Sequence, residues 1–330
     1  MIDFCILGSG VSGSTIANLL KKNYSIEIFD KANGIGGRSS NKKLSKSISF
    51  DHGLQYYSTR NKHFKKYLDK LINKKVLKYW LGNHLDFTFS RGLNSQKIIG
   101  VKSNNDFNKY LLKDVKKNFN KEILNIKFKK THWELYGKNF KLEAKNVIIT
   151  FPFEQAKKLA NKYLNQKFMS LKVKMIPNIT LLLKQKIGKN LPISSMRLNN
   201  KIISWVANEN SKYRFFSKDN YWTVQTTDNY SKKIIDVYKK RRKYYSNQIL
   251  REFSKILNLN FDSFKVYKIH GWKYSFNRKH SGLKCYWDKK LKIGLCGDWF
   301  LGPKAESAWL SANNLFAKIK KNPPKKFRRV

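Results

Sequence analysis

The stretch Gly8-Ser9-Gly10-Val11-Ser12-Gly13 constrains this chain more than any other feature. It follows a short apolar run, Ile2-Asp3-Phe4-Cys5-Ile6-Leu7, which predicts a buried strand. It precedes Thr15-Ile16-Ala17-Asn18-Leu19-Leu20, whose apolar residues recur at helical spacing. Strand, G-x-G-x-x-G turn and helix in that order form a dinucleotide-binding arrangement. Gly8 permits the tight turn, Gly10 lets the backbone approach a pyrophosphate, and Gly13 lets the helix pack close to the strand. The helix start then offers unpaired N–H groups and the positive end of its dipole to phosphates.

A second apolar strand, Ile26-Glu27-Ile28-Phe29, ends in Asp30. This places a carboxylate about 20 residues past the turn, where it can accept from ribose hydroxyls. The same negative charge disfavours a 2′-phosphate, and with it NADP, at this site. The turn alone does not choose between NAD and FAD. Asp30-Lys31-Ala32-Asn33-Gly34-Ile35-Gly36-Gly37-Arg38 then adds a second glycine cluster and an arginine. Paired glycines let the backbone pass close to a pyrophosphate and a flavin, and an arginine fork neutralises phosphate charge. Phe50-Asp51-His52-Gly53-Leu54-Gln55-Tyr56-Tyr57 follows shortly after.

The acid, the G-G-R and the D-x-G-x-Q-Y together resemble the flavin amine oxidase superfamily, and within it most closely renalase and its bacterial relatives. The resemblance implies non-covalent FAD, with Arg38, Gly53, Gln55 and Tyr56 beside it. Superfamily members often carry Glu where this chain has Asp30. Near the other end, Lys292-Ile293-Gly294-Leu295-Cys296 predicts a strand leading into Gly297-Asp298-Trp299. Glu306-Ser307-Ala308-Trp309-Leu310-Ser311-Ala312 then opens a helix running to about Lys318. This is similar to the family's closing motif, which implies Asp298 at the FAD ribityl–phosphate region and a helix start at the pyrimidine edge of the flavin. A helix dipole there would stabilise the negative charge that develops on reduction. The expected cofactor set is Gly8, Ser9, Gly10, Ser12, Gly13, Asp30, Lys31, Gly36, Gly37, Arg38, Gly53, Gln55, Tyr56, Gly297, Asp298, Glu306, Ala308 and Trp309.

The expected fold is α/β: a Rossmann-like FAD-binding domain of the glutathione-reductase/amine-oxidase type, and a substrate domain on a largely antiparallel sheet. The first would comprise residues 1–60, 98–160 and 285–330, the second 61–97 and 161–284. Between the cofactor ends, the spacing predicts a helix over Ser103–Lys117 and strands around 123–128, 133–136 and 146–150. A helix after Phe151-Pro152 runs through Ala156 and Leu159. Strands are predicted at 179–183, 202–206, 221–226 and 266–270, with a long basic helix over roughly Ser231–Leu257. Residues 202–212 and 270–274 are also similar to segments of bacterial renalase-like proteins. Ser103-Asn104-Asn105 departs from the resemblance, since relatives tend to carry glycine there.

No Ser-His-Asp arrangement, H-E-x-x-H or Walker loop is present, so hydrolase and kinase chemistry lack support. No metal site is expected, because Cys5, Cys285 and Cys296 are far apart and form no C-x-x-C pair. They also fit a reducing compartment, and with no signal-like N-terminus and no long apolar run the expected location is cytoplasmic. His52 is a candidate either for proton transfer or for a structural hydrogen bond. Tyr57 and Trp205 are candidates either for a pocket wall or for core packing; no residue is assigned a catalytic role. The resemblance implies oxidation of an isomeric dihydronicotinamide dinucleotide to NAD(P)+, with O2 as acceptor. The family's other reading is a flavin amine oxidase acting on a small amine. A third class is a basic nucleic-acid-binding protein without turnover. The formal charge of +48 would attract any polyanion. Its lysines are spread through nearly every segment, which points to a solvated basic surface rather than a dedicated nucleic-acid partner. The tail around Lys318–Arg329 is the best candidate for an electrostatic arm.

Overall fold

The structure is a computed structural model that describes residues 1–88, 96–186, 191–321 and 323. Most of the basic tail therefore lies outside the described residues.

The strand Ile2–Leu7 is the centre of an eight-stranded sheet. Lys141–Ile149 pairs with it in parallel on one side and Ile26–Phe29 on the other, while Ile293–Leu295 and Lys116–Asn118 extend the parallel core outward. Phe4, Cys5, Ile6 and Leu7 are all fully buried, because helices or strands cover both faces. Phe4 and Ile6 face one core, in which Ile16 and Leu20 of the helix Val11–Leu20 meet Leu315 and Ile319 of the helix Ala305–Lys321. Cys5 and Leu7 face a second core with Trp133, Phe153 and Trp299. Each fully buried Leu, Ile or Phe contributes about 1.5–3 kcal/mol, so the two ends of the chain are joined by their apolar faces. This is the expected Rossmann-like half.

The second sheet has six strands in the order Phe264–Asn277, Met175–Gln185, Asn220–Thr226, Ile203–Asn208, Ser195–Arg197 and His84–Asp86. All pairs are antiparallel except the last. One face buries Ile179, Leu181, Trp222 and Val224 against Ile249, Leu250 and Phe253 of the helix Arg242–Leu257. The opposite face packs Leu182 and Tyr221 on Phe50, and Trp205 and Ala207 on Trp80 and Ile99. The segment carrying the D-x-G-x-Q-Y residues thus runs along that face.

Two predicted helices are shorter than their spacing suggested. The first covers only Asp106–Leu111, after which Asp114 takes a left-handed conformation and Lys116–Asn118 becomes an edge strand. Its apolar residues serve two cores: Phe107 and Leu111 pack with Tyr57, whereas Leu112 and Val115 pack with Ile28. Helical periodicity ran across that division. The long basic helix is two, Asp228–Ile234 and Arg242–Leu257. At the break Tyr238 is buried and its hydroxyl accepts from the Gly271 N–H. The five consecutive cations Lys239–Lys243 also weaken a continuous helix by mutual repulsion. Among the described residues no helix is long and apolar enough to cross a membrane.

Candidate functional site

The helix Val11–Leu20 starts at the carboxyl end of the central strand, and the glycines before it are fixed by contact distances. A Cβ on Gly13 would lie 1.9 Å from the Gly8 carbonyl oxygen, so no side chain fits there. Gly8 has φ +104° and passes Thr150 closely. Gly10 differs: a Cβ there would meet only the Gly36 carbonyl oxygen, at 3.9 Å. Gly36 and Gly37 both have positive φ, and a Gly37 Cβ would sit 3.3 Å from the Gly10 Cα. The two glycine clusters lie against each other and present bare backbone together.

Charged and polar groups close around this backbone. Asp30 Oδ2 accepts from the Ser9 N–H at 2.8 Å and from the Ser9 hydroxyl at 2.6 Å. Ser12 donates to the Ala308 carbonyl at 3.0 Å, tying the first helix to the last. Arg38 forks onto both Asp298 oxygens at 2.7 Å and donates to the Ser275 carbonyl at 2.8 Å. Burial alone would lower the Arg38 pKa, but the Asp298 carboxylate outweighs it and the net shift is upward. Residues 260 positions apart are thereby joined in one ion pair.

The other expected cofactor residues have protein partners of their own. Gly297 is extended, and its N–H donates to Ser311. Glu306 accepts from the Thr59 hydroxyl and from the N–H groups of Arg60 and Asn61. It thereby anchors the approach to the helix Lys62–Asn73, whose Phe64 and Tyr67 pack on Trp309. Lys31 is exposed and reaches Glu122 at 3.7 Å.

The segment 51–57 lies beside Arg38. A Gly53 Cβ would fall 2.2 Å from the Arg38 carbonyl oxygen, and the Leu54 N–H donates to that oxygen. The His52 ring contacts His270 and Trp272, each at 5.0 Å between centroids, while the Trp272 N–H donates to the His52 carbonyl. Burial, with the neighbouring His270 second, pushes the His52 pKa down to about 3, so its imidazole is neutral at pH 7. Tyr56 lies 5.5 Å from Trp205 at a 40° tilt. Tyr57 takes the other option open to it. It has no exposed surface, stacks on Phe107 and donates to the Asn104 carbonyl, so it packs as core.

His52 Nδ1, Gln55 Oε1 and Trp205 Nε1 are buried with no hydrogen-bond partner among the described residues. Such atoms are nearly always paired in folded proteins. Together with the bare glycine backbone, they fit a ligand that carries both donors and acceptors, as FAD does.

Sequence reasoning missed a charge cluster behind this segment. Lys212 is buried and donates to Asp51 Oδ2 at 2.9 Å and to both Glu209 oxygens at 2.9 and 3.0 Å. Arg214 also donates to Asp51, to the Asn104 side chain and to the Gly100 carbonyl. Burial would raise the Asp51 pKa, but Arg214 and Lys212 hold it well below the usual carboxylate range. Glu209 goes the other way, since burial outweighs the pull of Lys212. Two acids and two bases balance, and the cluster fixes the segment bearing Gly53 and Gln55. The Glu209-to-Lys212 spacing was a readable i,i+3 pair; its union with Asp51 was not. Asn104, at the departure from the family pattern, donates to the Leu54 and Gln55 carbonyls and accepts from the Gly100 N–H. A glycine could make none of these side-chain bonds.

Residues 6–71 match the family of NAD(P)-binding Rossmann-like domains. Several solved structures are similar over nearly the whole chain. A protein assigned as a protoporphyrinogen oxidase from Exiguobacterium sp. 255-15 aligns at 11% identity and TM-score 0.74, covering 97% of this chain and 99% of that one. Cyclohexylamine oxidase from Brevibacterium oxydans aligns at 10% identity and TM-score 0.69, with the same coverage. Putrescine oxidase bound to putrescine aligns at 11% and 0.66, again covering 97% and 99%. At such identities the likeness establishes a shared two-domain fold.

Proposed function

We propose that this chain binds FAD non-covalently and acts as an FAD-dependent oxidoreductase on a small substrate. The observation that carries this reading is the convergence of three distant segments on one crevice. The Gly8–Gly13 turn, the Gly36–Arg38 cluster and Asp298 meet through the Gly10–Gly37 approach and the Arg38–Asp298 fork. A crevice at the carboxyl ends of parallel strands is where such sheets take nucleotides. The whole-chain likeness to amine and protoporphyrinogen oxidases agrees with it.

Bound there, FAD would supply a hydride acceptor at N5. The chain's own residues would orient and exclude. Asp30 is placed to turn from Ser9 toward a ribose hydroxyl. Arg38 and Asp298 hold the crevice together, and the Ser12–Ala308 bond ties the first turn of the helix Ala305–Lys321, where its dipole is positive, to the helix that follows the glycine turn. His52, uncharged at pH 7, offers Nδ1 for a hydrogen bond. Tyr56 and Trp205 are suited to flank a flat substrate.

We favour an isomeric dihydronicotinamide dinucleotide as substrate, oxidised to NAD(P)+ with O2 taking the electrons, in the cytoplasm. Asp51 and Glu209 are matched by Lys212 and Arg214, and Asp298 by Arg38, so none of these three acids is left unpaired to attract a cationic amine, which supports the anionic substrate. A small amine is the second reading, favoured by the Tyr56–Trp205 pair, whose ring faces attract cations. The first test is the absorbance spectrum of desalted protein, followed by anaerobic addition of isomeric dihydronicotinamide dinucleotides. Flavin bands that bleach support both the cofactor and this substrate. Flavin bands that bleach only with amines favour the second reading, and protein that stays colourless after reconstitution with FAD overturns the proposal.

A further inference from the structure

A surface groove of about 700 Å³ lies away from the glycine turn. It follows the free edge of the strand Phe264–Asn277, where the break before the helix Arg242–Leu257 turns back against it. Its lining includes Lys239, Arg242, Lys243 and Lys268 and no carboxylate. None of these four cations has an acidic side chain within salt-bridge distance among the described residues, although Lys273 and Arg278 on the same strand and its continuation pair with Asp236 and Asp228. Acids are at hand and are taken by other cations. Ser246, nine-tenths buried on the cavity wall, makes no side-chain hydrogen bond among the described residues.

We propose that this groove is an anion site for a phosphorylated small molecule carrying a diphosphate. The unmatched cations supply charge, and the Arg242 guanidinium can grip two phosphate oxygens with its fork. Lys268 can hold the second phosphate from the strand side, Lys239 and Lys243 from the opposite wall, and the Ser246 hydroxyl is a neutral donor on that wall. The arrangement is more local than diffuse surface charge, since the four cations come from two separate elements, residues 239–243 and the strand Phe264–Asn277, and line one groove without a carboxylate among them. His270 lines the inner end and touches both His52 and Trp272, so an anion here would lie one layer of rings from the segment beside Arg38. Burial first, then Lys268, Lys42 and Lys239, lowers the His270 pKa to about 4. The site does not depend on the flavin reading.

The test is a calorimetric titration of inorganic pyrophosphate into the whole chain at fixed ionic strength, with imidazole resonances followed in parallel. The expected result is saturable one-to-one binding with the largest shift at His270. Replacing both Arg242→Glu and Lys268→Glu should weaken it by at least about tenfold, as loss of charge-assisted bonds does. Both positions are exposed, and the milder pair Arg242→Gln with Lys268→Gln should weaken it in the same direction. Lys66→Glu with Lys70→Glu makes the same charge change on the exposed face of the helix Lys62–Asn73 and should leave binding nearly unchanged. Equal weakening by both glutamate pairs would overturn the proposal in favour of net charge alone. So would pyrophosphate heats that never saturate while duplex DNA binds through the groove cations. The flavin absorbance of the same samples reports separately on the oxidoreductase reading.

Discussion

The glycine crevice and the buried charge cluster lie on either side of the segment 51–57, and they are built by opposite means. The crevice is made of backbone: Gly8, Gly10, Gly13, Gly36 and Gly37 are there for the side chains they lack. The cluster is made of side chains: Asp51, Glu209, Lys212 and Arg214, all buried and mutually neutralised. In the first, adding an atom does the damage. In the second, removing one does. A short motif can encode an absence of side chains, whereas four matched charges drawn from positions more than 150 residues apart need the whole fold.

The largest effect expected is that of Gly13→Ala, whose Cβ would fall 1.9 Å from a backbone oxygen. Helix and strand must separate, and a loss of roughly 3 kcal/mol or more is expected in urea unfolding. A variant that melts like the parent would break the account of the crevice. Lys212→Met falls in the same range, because it leaves Asp51 and Glu209 with one fewer buried cation. A loss of about 3–5 kcal/mol is expected. Pairing it with Glu209→Gln should recover part of that loss, and strict additivity in this double-mutant cycle would show that the two are not coupled.

The histidines give a smaller, pH-dependent effect. His52 and His270 have folded-state pKa values near 3 and 4, below the ordinary value of about 6.5. The unfolded chain therefore binds more protons between those limits. The stabilising contribution is fully present above about pH 6.5 and is lost as pH falls toward the folded values. Denaturation at pH 7 and pH 5 should differ by roughly 2 kcal/mol for each of the two histidines, and His270→Gln should remove its share of the dependence. A slope unchanged by that substitution would place its origin elsewhere.

Gly10→Ala sharpens the comparison most with the least change in stability. Its Cβ has room, so unfolding should shift by less than about 1 kcal/mol. The added methyl nevertheless stands where a pyrophosphate would approach, so flavin retained after desalting should drop severalfold. Equal flavin retention would argue that the pyrophosphate lies elsewhere.

The sequence by itself determined the Rossmann-like half and its bare-backbone turn, because the physical requirements there are local. A strand followed by G-x-G-x-x-G and a helix admits few conformations, and the contacts of Gly13 reach back only to Gly8. The antiparallel character of the second sheet was also legible from its alternating runs. The tertiary structure decided where periodicity was shared between cores. Leu112 and Val115 belong to a different core from Phe107, and Tyr238 interrupts what spacing alone reads as one helix. It decided that Tyr57 is core, that Arg38 spends its fork on Asp298, and that Asn104 secures the segment beside it. Above all it decided the charge cluster and the cation groove. The energy of a charge depends on what lies within a few ångströms of it and on how much water remains, and neither is written in residue order.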